Sequence, residues 1–138
     1  MSEKNLTIYY AKNYSHSWYD SENNIMVVKV LNLNLGIHRQ NAFVKNVEVM
    51  RKHKPKAIIL DFGEAKGSHM PSDLDWIINV AFPEYKTLGI HLVLCIFPTN
   101  HIAKLGAKTW IDIAEGFGFS LINVNSLDEA YNIAIKHG

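Results

Sequence analysis

Ala57-Ile58-Ile59-Leu60-Asp61-Phe62-Gly63 is the stretch that decides the fold. The run is apolar from Ala57 to Leu60, with no polar residue to turn toward water. A strand without alternation needs cover on both faces, which is the condition of a central strand in an α/β sheet. Gly63 closes it. The pattern returns from His91 to Phe97, where Leu92-Val93-Leu94-Cys95-Ile96-Phe97 run up to Pro98. Between the two lies a helical segment carrying Leu74, Trp76, Ile77, Val80 and Ala81, so the unit reads as strand, helix, parallel strand.

Working outward, Ile37 to His53 reads as a helix with Phe43, Val44, Val47 and Met50 on its apolar face. Lys54-Pro55 ends it, because proline cannot continue a helix and disfavours helical geometry before it. Upstream, Leu6 to Tyr10 is a β-rich run, and Tyr14, His16 and Trp18 alternate with Ser15, Ser17 and Tyr19. Asp20 to Asn24 marks a turn. In Ile25 to Leu31, Met26, Val28 and Val30 then share one face, with Lys29 on the other. These three short runs pair most economically as antiparallel hairpins.

Downstream, Ser72 starts the second helix, and Pro83 is expected to kink or break it before Gly89 ends the segment. Ile102 to Glu115 is a third helix, with Gly116 and Gly118 as stop signals. Leu121 to Val124 is a last strand. Ser126 caps a final helix whose Leu127, Ala130, Ile133 and Ala134 face inward. The order predicts one α/β domain over residues 1–138, with a mixed sheet, N-terminal antiparallel strands and helices mainly on one face.

Composition narrows the partners. With 14 Lys and Arg against 13 Asp and Glu, there is no basic field to draw nucleic acid or an anionic membrane. No run approaches the roughly 18 apolar residues of a membrane span. The absence of an apolar N-terminal leader points to the cytoplasm. The single cysteine, Cys95, excludes an internal disulfide and a cysteine metal cage. No histidine pair has the spacing of a helical metal site, so neither metal nor cofactor is expected. His16 sits between aromatics on one strand face and reads as a packed or surface residue.

The strand AIILDF with its following loop and MPSDLDWI, and the later AFPEYKTLGIHLVLCIFP, together resemble the STAS-like family. Within it they are most similar to the short stand-alone SpoIIAA-like, anti-anti-sigma-factor-like proteins. The likeness covers about Leu6 to Lys136 and rests on apolar and turn patterns, which specify fold more than function. It implies a non-enzymatic binding module, switched in the better-understood branch by phosphate on a serine at a helix start. Ser72 stands at the corresponding place. That branch has an aspartate followed by paired small hydroxyl residues and a glycine, whereas this chain reads Met70-Pro71-Ser72-Asp73-Leu74.

Each candidate residue has a structural and a functional reading. Ser72 and Asp75 have capping-box spacing, so the hydroxyl is read first as a helix cap, with the phospho-switch as the alternative. Open α/β sheets bind ligands outside the carboxyl ends of their strands. Here the loops bring Asp61, Glu64, Ser68, His69, Thr99, Asn100 and His101 toward that crevice. A hydrolase would need a tight strand-to-helix serine turn, which Ser68 in its Gly-Ser-His stretch does not supply, so catalysis ranks third. Trp76, Phe82, Tyr85, Phe97, Trp110, Phe117 and Phe119 are read as core, or else as the lining of a pocket for a small apolar ligand. Gly116-Phe117-Gly118-Phe119 follows a helix and is therefore a cap and turn, not a phosphate loop. The expected role is a cytoplasmic regulatory or protein-interaction module with an unnamed protein partner. A homodimer is expected through Ile25, Val27 and alternate residues of Leu92 to Phe97, if helices leave that face open.

Overall fold

Two asparagine turns shape the N-terminal part of the chain. Asn13 (φ 72°) and Asn24 (φ 57°) take left-handed backbone geometry, which asparagine tolerates better than most residues. Asp20 fixes the second turn by accepting the N–H groups of Glu22 (3.0 Å) and Asn23 (3.2 Å). The computed structural model describes residues 5–32, 37–65, 76–97 and 111–137. Strands β1 (Asn5–Ala11), β2 (Ser15–Asp20) and β3 (Ile25–Val30) lead into helix α1 (Ile37–His53) and strand β4 (Ala57–Asp61). A π-helical turn (Ile77–Ala81) then runs into α2 (Phe82–Thr87), followed by β5 (Leu92–Ile96). Helix α3, described over residues 111–116, β6 (Ser120–Val124) and α4 (Leu127–Lys136) complete the fold.

The six strands stand in sequence order, β1-β2-β3-β4-β5-β6. β1, β2 and β3 pair antiparallel, while β3 to β6 are parallel. This is the mixed α/β sheet predicted, with β4 and β5 in its interior. Ile58, Ile59, Val93, Leu94 and Cys95 are all fully buried. On one face Met50 of α1, Phe82 and Tyr85 of α2, and Ala114 of α3 close over Met26, Ile58, Val93 and Cys95. Parallel strands placed consecutively, with their crossover helices on one face, share one hand of connection, as the right-handed rule requires.

The second face corrects the expectation of an open surface. α4 turns back over it, and Ala130 and Ala134 seal a cluster of Ile25, Val27, Ile59, Leu92, Leu94 and Ile96. Ile25, Val27, Ile59 and Leu94 are each 0% exposed. Baring those four would cost on the order of 6 kcal/mol, comparable to a small domain's whole stability. The residues that the sequence offers for a dimer contact are therefore interior to the monomer. α4 is held by Ser126, whose Oγ accepts the Glu129 N–H (3.1 Å), and by Glu129, whose Oε2 accepts the Asn125 N–H (3.0 Å). Tyr131 reaches the antiparallel ribbon, where its hydroxyl bonds with Asp20 and Trp18. Burial pushes that phenol above its ordinary range.

Two further details depart from the sequence reading, at Val44 and Pro83, whereas Gly89 and Gly118 end helices as expected. Val44 is 56% exposed, because the buried stripe of α1 runs through Ala42, Asn46, Val47 and Met50 and leaves Val44 on the outer side. Phe43 is half-buried, edge-on to Trp76 at 5.0 Å. Pro83 does not break its helix. It sits in the first turn of α2, where its missing amide donor is not needed, and the wide π turn before it relieves the proline ring. Gly89 and Gly118 both close helices in the left-handed region, at φ 78° and 89°. Each carries the paired return bonds of a Schellman cap, Ile90 N–H to Tyr85 O and Gly89 N–H to Lys86 O in the first. Phe119 N–H to Ala114 O and Gly118 N–H to Glu115 O make the second.

Candidate functional site

The carboxyl ends of β3, β4 and β5 form one rim of the sheet. Strand register sets Tyr10 beside His16, His16 beside Lys29, Lys29 beside Asp61, and Asp61 beside Ile96. A row of side chains thus crosses five strands on the face that α4 covers farther down. Asp61 closes β4 on itself, its Oδ1 accepting the Gly63 N–H at 2.9 Å. A Cβ at Gly63 would lie 3.2 Å from that oxygen and 3.3 Å from Ile96 Cγ2, so glycine permits the tight turn. The Phe62 N–H donates to Ile96 O at 2.7 Å, tying the turn to β5, and Phe62 stacks on Phe97 at 6.0 Å.

Glu64 bridges from this turn to Lys29, with 2.5 Å between Oε2 and Nζ. The bond to Glu64 holds the Lys29 ammonium above its ordinary range, against an opposing effect of burial. The same lysine holds the exposed Glu64 carboxyl below its ordinary range. Beside the pair, His16 lies against Trp18 (centroids 5.1 Å apart), as the alternation expects, but its other neighbour is Tyr10 of β1 (5.3 Å), because Tyr14 precedes β2 and lies against His38 instead.

The candidate residues do not all meet. Asp61, Glu64 and Phe97 lie at this rim, whereas Phe82 is wholly buried under the opposite face and Trp76 is half-buried against Phe43. Ser68, His69, Ser72, Thr99, Asn100, His101 and Trp110 lie outside the described residues. Phe82, Tyr85, Phe117 and Phe119 pack on one another, with Phe82 edge-on to Phe119 at 5.3 Å and to Phe117 at 6.3 Å. These rings fill the interior between sheet and helices. Among the described residues no group of His, Cys, Asp and Glu is placed to hold a metal ion. No described helix is long and apolar enough to cross a membrane.

A second polar locus, missed in the sequence, runs between α1 and the antiparallel ribbon. Ser17 Oγ donates to Asn46 Oδ1 at 2.9 Å, both buried. Tyr9 Oη pairs with His38 Nδ1 at 3.0 Å, Tyr14 lies 4.5 Å from the His38 ring, and Tyr19 stacks on His53 at 4.7 Å. Ser15, 2% exposed, has no partner for its hydroxyl among the described residues. The available signal was the spacing of His38, Ala42, Asn46 and His53 along one stripe of α1, a polar seam inside an otherwise apolar helix pattern.

No family model, curated protein or solved structure matches this chain. What the rim can do is set by its own chemistry. Its described carboxylates each hold a local structural bond, and Phe62 stacks on Phe97. Such a surface offers shape, a charged pair and ring faces to a partner.

Proposed function

We propose that this chain is a non-enzymatic regulatory or protein-interaction module of STAS-like fold, acting in the cytoplasm and binding a protein partner at the rim of Lys29, Asp61, Glu64 and Phe97. One observation carries the reading. Asp61 is committed to the Gly63 amide and Glu64 to Lys29, so the charged groups at the carboxyl ends of the described strands build the surface and leave no free acid–base pair. The buried, free Cys95 fits a reducing compartment. A small apolar ligand finds less support, because Phe82, Tyr85, Phe117 and Phe119, which would line its pocket, fill one another's space. Within this reading Ser72, which lies outside the described residues, keeps the two roles that its sequence offers, a helix cap first and a phosphate switch as the alternative.

The test compares affinity capture by the native protein with capture by Glu64→Lys and Phe97→Ala, each shown to keep the native circular dichroism spectrum. A partner that the native chain captures and both variants lose supports the module. Identical captured sets, or hydrolytic turnover by the purified chain, would defeat it.

A further inference from the structure

We propose that β6 is a self-pairing edge, through which two copies of this chain join antiparallel to form one continuous sheet about a two-fold axis at Ile122. Among the described residues the sheet order ends at β6, which pairs there with β5 alone. Ser120 turns its N–H inward, donating to His91 O at 2.9 Å. Backbone groups alternate along a strand, so Ile122 and Val124 also point to β5 while Leu121 and Asn123 present their N–H and C=O outward. The next outward amides on either side are already spent. Phe119 N–H closes the cap of α3 on Ala114 O (3.3 Å), and Asn125 N–H is held by Glu129 Oε2 (3.0 Å). The outward set is thus short and centred on Ile122.

A two-fold axis at Ile122 satisfies that set. It places Leu121 opposite Asn123 of the second copy as a hydrogen-bonded pair, and the reverse pair forms on the other side. Ile122 meets its own counterpart as the close, non-hydrogen-bonded pair. Ile122 is among the exposed large apolar residues, at 37%, and the contact would bury it. Charge favours a second copy as the occupant, because Ser120–Val124 contains no ionisable side chain and self-pairing opposes no like charges. The two edges of the sheet differ in this respect. β1, at the other edge, carries a register shift between Thr7 and Tyr9, a bulge of the kind that hinders edge pairing. β6 pairs without interruption and has no proline, lysine or bulge to block a partner. The contact is independent of the carboxyl-end rim.

Sedimentation of the native protein up to high micromolar concentration should show a reversible monomer–dimer equilibrium. Ile122→Lys, which opposes two ammonium groups on the axis, and Asn123→Pro, which removes an outward donor, should each weaken the dimer about tenfold or more. Both should retain the monomer's circular dichroism. Ile122→Cys should form a disulfide dimer under mild oxidation, whereas Asn123→Cys, opposite Leu121 of the other copy, should not. A native protein that stays monomeric overturns the proposal. So does a dimer that survives both Ile122→Lys and Asn123→Pro, or one that cross-links equally well from position 123.

Discussion

Cys95 should give the domain an early alkaline limit, and substitution should remove it. The thiol is 0% exposed in the middle of β5, and burial pushes its pKa well above the ordinary value. In the unfolded chain it ionises near pH ~8.5, so above that pH the unfolded state has lost a proton that the native state still holds. Stability depends on pH through the difference in bound protons, unfolded minus native, which is negative here. Stability therefore falls as pH rises. One pH unit above the unfolded pKa, the loss from this group alone is about 1.4 kcal/mol, and the slope is close to that value per further unit. Tyr85, also raised by burial and by the neighbouring Cys95, adds a second loss above pH ~10. Urea unfolding at steps from pH 7.5 to 9.5 under reducing conditions, with linear extrapolation, measures the effect. Cys95→Ala should lower stability at every pH by leaving a small cavity, and should flatten the decline between pH ~8.5 and ~9.5. An equally steep decline in that variant, or rapid modification of native Cys95 by a thiol reagent at pH 9, would refute the assignment.

Gly118→Ala should cost about 1 kcal/mol in thermal or urea unfolding, because φ is 89° there and the added Cβ opposes the left-handed cap of α3. The two buried serines of β2 should behave oppositely. Ser15→Ala removes a hydroxyl with no described partner and should leave stability unchanged or raised. Ser17→Ala strands Asn46 in the interior and should cost about 1–3 kcal/mol. Equal losses from the two alanine variants would show that the seam under α1 is not a specific hydrogen-bonded contact.

Among the described residues the sequence by itself determined the elements, their order and most of their ends. Unbroken apolar runs could only be covered strands, and β4 and β5 are interior. Ser126 and Gly118 cap their helices through local bonds, which depend on neighbours a few residues away and so are visible in one dimension. The tertiary structure alone decided which faces are covered. Alternation in β2 defined two faces without saying which goes inward. The serine face with Tyr19 turned under α1, leaving His16 and Trp18 on the other side. Crossover handedness constrains helices that connect two parallel strands, which placed α1, α2 and α3 together. It does not constrain α4, which joins no two of the described strands, and that helix went to the face where apolar β4 and β5 still needed cover. The rim pair of Lys29 and Glu64 was equally hidden, because two residues far apart in the chain become neighbours only when β3 and β4 align in register.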